Sequence, residues 1–149
     1  MSGPLTHSPA DVIQQLLIDL ELGTAVADEG AWPVYASRLP DTPDPAIAAI
    51  DTVGKKQGRT MIDGEVQENP GVQILIRAAS STTGWTKARA IAVALDEEVN
   101  LDYVTIDGSV YLVYNVSRTS GPMALGKDVP NSKRNLFSVN ATVTLRQTT

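Results

Sequence analysis

The chain has 149 residues, 42% hydrophobic and 19% charged, with 12 basic against 17 acidic side chains and no cysteine. A chain of this length buries roughly 68–70% of its unfolded surface, enough for a core without staples; the absence of cysteine excludes disulfides, thiol nucleophiles and thiolate metal sites. The net charge of −5 and pI of about 4.7 argue against a surface that grips nucleic-acid phosphates, which needs clustered Lys and Arg, and suit a wall past which DNA slides without sticking.

No basic stretch followed by an apolar core opens the chain, and no apolar run approaches the ~20 residues of a membrane span. The expectation is a soluble protein made in a cytoplasm, folded as one domain over 1–149.

Ser8-Pro9-Ala10-Asp11 predicts a helix start: Ser8 caps, Pro9 fits the first turn and Asp11 suits the helix dipole. Ile13, Leu16, Leu17 and Leu20 form an apolar stripe, and Gly23 is the expected terminator. Ala31 to Leu39 predicts a short strand over Val34 to Ser37, and Ala46 to Asp51 a second; prolines bracket both. Residues 52–69 read as a mobile, largely unpaired arm, basic at Lys55, Lys56 and Arg59 and acidic at Asp63 and Glu65. Val72 to Arg77, nearly all apolar, predicts a central strand covered on both faces.

Ser80, Ser81 and Thr82 offer caps for a second helix reaching about Val99, with Trp85, Ala88, Ile91, Ala92, Leu95 and Val99 on its apolar stripe. Val104 to Ile106 and Val110 onward flank Asp107-Gly108, a type I′ hairpin signal. Val110 to Val116 and Leu136 to Arg146 both alternate with period two, the mark of strands with one wet face. The first would bury Val110, Leu112, Tyr114 and Val116; the second Phe137, Val139, Ala141, Val143 and Leu145. Residues 117–135 between them, rich in Gly, Pro, Asn and Ser, read as a long loop. The order is α-β-β-β-α-β-β-β, an α+β fold with a mostly antiparallel or mixed sheet and two helices packed on it.

Chemical motifs are weak. Gly121 to Lys127 matches most of a phosphate-binding loop, but Asp128 stands where Ser or Thr must hold magnesium, and Val129-Pro130 cannot open the required helix. The single His7 reads as a solvated terminal residue. Asp63 and Glu65, and Asp96, Glu97 and Glu98, lie in a polar loop and at a helix end, without the apolar pocket that shifts a carboxyl pKa. No calcium-loop spacing occurs. The basic clusters Lys55-Lys56-Arg59 and Lys133-Arg134 lack the interleaved aromatics of a single-strand platform. Their alternative to solvated charge is a contact between subunits. Sequons at Asn115 and Asn140 fall on predicted strands and are set aside. Trp85 is assigned to the core, and Trp32 to either core or interface. No catalytic residue, cofactor or metal site is expected.

Pro45-Ala-Ile-Ala-Ala-Ile-Asp51, a glycine-containing arm, Asn69-Pro-Gly-Val-Gln-Ile-Leu-Ile-Arg77, a Trp-bearing helix, and Pro122-Met-Ala-Leu-Gly126-Lys-Asp128 followed by Arg134-Asn-Leu-Phe137-Ser-Val-Asn140 resemble, in this order, the bacteriophage minor capsid and tail-terminator proteins. The likeness runs from about Pro9 to Thr144; its most specific piece is Leu125-Gly126-x-Asp128 followed by Arg134-x-x-Phe137-Ser-x-Asn140. Pro130-Asn131-Ser132-Lys133 departs from the shorter Gly-containing link expected there. The resemblance implies a non-enzymatic virion subunit, assembled in the host cytoplasm into a ring, commonly hexameric, at the head-proximal end of a long non-contractile tail. Its implied partners are copies of itself, the tail-tube protein and the head-connector or stopper protein; DNA would pass through the lumen without specific binding, and no membrane is involved.

Length, mixed charge and apolar residues then make the arm 52–69 and the loop 117–135 the candidate assembly contacts. The residues are Lys55, Lys56, Arg59, Met61, Ile62, Asp63 and Glu65 on the first, and Arg118, Met123, Leu125, Lys127, Asp128, Lys133 and Arg134 on the second. Two other readings stand beside this one: a head-completion or stopper protein of the connector, and a small enzyme or ligand-binding domain using Gly121–Asp128.

Overall fold

The computed structural model describes residues 5–25, 32–40, 45–59, 66–127 and 134–148, with side chains other than those of 53–59, 66–68 and 127. The elements run α1 (Pro9–Asp19), β1 (Val34–Ala36), β2 (Ala46–Arg59), β3 (Val66–Ala78), α2 (Ser81–Glu97), β4 (Asp102–Ile106), β5 (Ser109–Lys127) and β6 (Asn135–Gln147). This is the expected order. The strands form one sheet in the order β1-β2-β3-β6-β5-β4. β1 runs parallel to β2, and every other neighbouring pair is antiparallel. The sheet is therefore mixed. Among the described residues no helix is long and apolar enough to cross a membrane.

Both helices cover the same face. Register places Ile47 beside Ile76 and Phe137, and Ala49 beside Ile74 and Val139, and these residues share one buried cluster with Ile13, Leu16 and Leu17 of α1 and Ala88, Ile91 and Leu95 of α2. The predicted alternation of β6 holds throughout: Phe137, Val139, Ala141, Val143 and Leu145 are all buried in that cluster. β3 is interior, as expected of its apolar run. Its reverse face is less completely covered, with Gln73 and Leu75 half-buried and Arg77 buried.

Ser8 caps α1 as expected, its hydroxyl accepting from Asp11 N–H at 3.2 Å while Ser8 N–H donates to the Asp11 carboxylate at 3.3 Å. The helix stops earlier than Gly23. Leu20 is its C-cap, and Glu21 follows with φ 61°, so an ordinary residue makes the left-handed exit.

Three expectations are overturned by local geometry. Residues 52–69, expected to be largely unpaired, continue β2 to Arg59 and open β3 at Val66, with Lys55 opposite Asn69 and Arg59 opposite Val66. Pro70 lies inside β3 without a register partner; it lacks the N–H a ladder needs, and its sequence signal masked the strand. Residues 117–127, expected as loop, continue β5. Finally, the core face of β5 is Tyr111 and Val113, then Val116, and Val110, Leu112 and Tyr114 lie outside the core cluster. The ladder to β6 shifts between Val113 and Asn115. One extra residue there reverses which side chains point inward.

His7 is also corrected. It is only 20% exposed, because its N–H and Nδ1 hold the buried Tyr111 hydroxyl at 2.9 and 2.6 Å. Thr6 N–H donates to Gln147 Oε1 at 2.8 Å, so the segment before α1 is tied to β5 and β6.

Trp85, assigned to the core, is 46% exposed; Gly84 occupies the buried position instead. A Cβ on Gly84 would collide with the Phe137 ring and stand 2.8 Å from its Cδ2. The absent side chain lets α2 settle on Phe137, and Trp85, about 100° further round the helix, faces outward. Gly→Ala ordinarily stabilises a helix interior by about 1 kcal/mol. Here Gly84→Ala is expected to destabilise by about 1–3 kcal/mol through overpacking, read as a lower urea midpoint at unchanged slope. Val139→Asp, placing an unpaired charge at a fully buried site, is expected to abolish the cooperative unfolding transition, since its cost of several kcal/mol approaches a domain's whole stability of about 5–15 kcal/mol.

Candidate functional site

Two strand pairs end at opposite poles of the sheet. β3 begins where β6 ends, with Glu68 opposite Leu145, and β3 ends where β6 begins, with Ala78 opposite Asn135. The β2–β3 pair runs on to Arg59 and Val66, two residues beyond the last rung of the β3–β6 ladder at Glu68 and Leu145. The β5–β6 pair closes at the other end, with Lys127 opposite Asn135. Residues 60–65 and 128–133 are joined to opposite poles of one sheet.

The distal half of β5 is held in an unusual way. β4 pairs with β5 only from Ser109 to Val113, and Leu101 N–H donates to Tyr114 O at 3.1 Å. Among the described residues no strand pairs with the outer edge of β5 beyond that point. On its inner edge the ladder to β6 is interrupted three times, between Arg118 and Ser120, Ser120 and Met123, and Ala124 and Gly126. At Gly121 (φ 94°) a Cβ would stand 2.6 Å from Ser138 O and 2.9 Å from Val139 Cα. Only glycine admits that backbone approach.

Arg118 fastens this half to the helix layer. Its Nε and Nη2 donate to the Asp96 carboxylate of α2 at 2.9–3.3 Å, and Nη1 donates to Gly121 O. A planar guanidinium can make this fork and a lysine cannot. Arg118 was singled out as a contact between subunits; its fork is spent within the chain.

Met123 and Leu125 are 47% and 43% exposed, and Met123 stands opposite Ser138, on the face away from the helices. Arg134 is half-buried and has a partner. Lys55, Lys56 and Arg59 lie on β2 and Lys127 ends β5. Met61, Ile62, Asp63, Glu65, Asp128 and Lys133 lie outside the described residues.

A family model described as bacteriophage tail terminator protein matches residues 16–147. The chain belongs to this family. No individually curated protein matches it. As a member of a phage tail family, the chain is a structural component of the virion and takes part in tail assembly.

The geometry of this tail protein removes the phosphate-loop reading. Gly121 to Lys127 is strand, and β5 carries none of the helix N-terminal amides that would receive a phosphate. Among the described residues no three His, Asp or Glu side chains are grouped to hold a metal. Burial lowers the pKa of Lys87 from its ordinary value. Its ammonium donates to Leu22 O at 2.6 Å and lies 5.2 Å from the Trp32 ring. These contacts give it a packing role, fastening the segment after α1 to α2.

Sequence reasoning missed the outer surface of α2, where Trp85 and Val93 stand exposed. The available signal was Val93, an apolar residue off the predicted stripe; Trp85 fits that stripe and gave none. Arg118→Ala is expected to speed amide exchange over 119–127 while global stability changes by about 1 kcal/mol or less, since a half-exposed ion pair contributes little. Unchanged exchange would mean that the β6 ladder alone holds the distal strand.

Proposed function

We propose that the chain forms a ring, six copies in the simplest case, at the head-proximal end of a phage tail. The ring stops tail-tube polymerisation and forms part of the joint to the head connector. Its role is structural and not catalytic. The observation that carries this reading is the opposed direction of the two strand pairs. A stopper must reproduce the tube subunit's contact on one side and refuse it on the other. A subunit whose two strand pairs end at opposite poles of one sheet can carry two unlike axial contacts, each changed independently of the core. On this reading Lys55, Lys56, Arg59, Met61, Ile62, Asp63 and Glu65 serve one contact. Lys127, Asp128, Lys133 and Arg134 serve the other, while Met123 and Leu125, on the strand that Arg118 fastens, face a neighbouring subunit of the ring. The net charge of −5 suits a lumen through which DNA passes without specific binding.

Electron microscopy of particles from a phage lacking this gene tests the reading. Tails of abnormal length beside unattached heads are expected. Finished tails of normal length beside leaking heads would move the protein to the connector side, and normal particles would refute a role in the joint. Deleting 55–67 removes little but the β2–β3 pair beyond Glu68, where the β3–β6 ladder ends. The shortened chain is expected to melt within a few degrees of the parent and to fail in capping tails. Normal tail length with this variant would show that the β2–β3 pair makes no axial contact.

A further inference from the structure

The outer side of α2 carries a hollow of about 580 Å³ lined by Leu20, Leu22, Trp85, Ala90 and Val93, with Arg89 and Glu98 at its rim. A second hollow, of about 370 Å³, lies against Trp32 and Lys87. The two share Thr86 and Ala90, so they join into one groove across the helix. The chain has two tryptophans, and one borders each hollow. Trp is a residue type that dominates binding energy when a partner covers it. The groove is also preformed. The Lys87 hydrogen bond to Leu22 O and its stacking over Trp32 fix one wall before any partner arrives, which lowers the ordering cost of docking.

A second apolar patch, Met123 and Leu125, lies on the distal half of β5. Met123 shares a side with Ser138, whereas the α2 groove lies over the helix layer. The two patches thus belong to opposite layers of the subunit. A contact between unlike patches is heterologous, and such contacts close into rings when the rotation permits. Self-contact of the α2 grooves would give a two-fold dimer and end there. Charge supports the same pairing. Beyond Val93 the groove leads to the exposed Glu98, and the β5–β6 pair ends at Lys127, opposite Asn135. Arg89 and Thr86 can meet the backbone groups along the outer edge of β5, where no strand pairs among the described residues.

We infer that the α2 groove seats the Met123–Leu125 segment of the next copy of this chain, making the lateral contact of the ring; the inference rests on the ring proposed above. The poles of the sheet are then left for the axial partners.

The natural absence of cysteine permits a direct test in assembled tails. Two double variants, Ala90→Cys with Met123→Cys and Val93→Cys with Leu125→Cys, are introduced into the phage gene, and purified tails are oxidised and run on denaturing gels without reductant. All four sites are exposed. A disulfide needs Cα atoms within about 7 Å, and the second pair covers a shift along the groove. A ladder of dimers, trimers and larger covalent species from a double variant, with each single variant running as monomer, is the expected result. Dimers from Ala90→Cys or Val93→Cys alone would overturn the inference by showing that the helix faces meet each other. Tails of normal length that retain the chain yet give no ladder from either pair would overturn it while leaving the ring intact. Tails that lack even the parent chain would overturn both. As a second readout, Trp85→Arg is expected to leave the melting curve in place and to abolish capping.

Discussion

β6 is the strand on which the rest of the molecule depends. It is hydrogen-bonded to β3 on one side and β5 on the other, and its inward residues Phe137, Val139, Ala141, Val143 and Leu145 meet both helices' apolar faces in one cluster. β6 lies between the β3 and β5 halves of the sheet, so removing it would leave both halves with an open edge. Two-stranded hairpins are marginal in water, and a third strand or a packed helix makes them stable. Placing Val139 at the centre of that strand makes it the position where a charge does most damage.

The same dependence explains how each strand pair is supported toward its pole of the sheet. The distal half of β5 runs on past β4 and keeps β6 as its neighbour, but the three interruptions of that ladder remove hydrogen bonds where they are most needed. Arg118 offsets this by joining Asp96 of α2 to Gly121 O. Residues 56–59 and 66–67 have no β6 partner, so only the antiparallel pairing of β2 with β3 holds them in register. One pair is therefore clamped to the body of the subunit and the other is supported by its own ladder.

Where the sequence carried regular periodicity, the fold was legible. The capping of α1 by Ser8, the Asp107-Gly108 turn with φ 48° and 85°, and the inward set of β6 all follow from local rules. Two failures share a cause, which is that turn-forming residues were read as turns. Pro70, Gly121 and Pro122 sit inside long strands, where the neighbouring strand tolerates a missing N–H or an added bulge. The inward set of β5 failed differently: a single extra residue near Tyr114 moves every later side chain to the other face, and nothing local announces it. Trp85 was misassigned because the stripe that fits Trp85 also fits Gly84, and only the Phe137 ring beneath decides between them. The candidate contacts were found by length and composition; their attachment to opposite poles needed the register of β3 against β6.

The irregular ladder of distal β5 bears on how such a subunit can meet neighbours without growing a sheet. A regular exposed edge is a template to which strands add indefinitely. Here Pro122 removes a donor, Gly121 and Gly126 take positive φ, and each interruption changes the spacing of the backbone groups along the edge. A partner strand laid beside it could not keep a continuous ladder. What remains for recognition is side-chain chemistry, the exposed Met123 and Leu125 against a complementary hollow. A contact of that kind saturates when the hollow is filled. A sheet edge would continue to recruit strands.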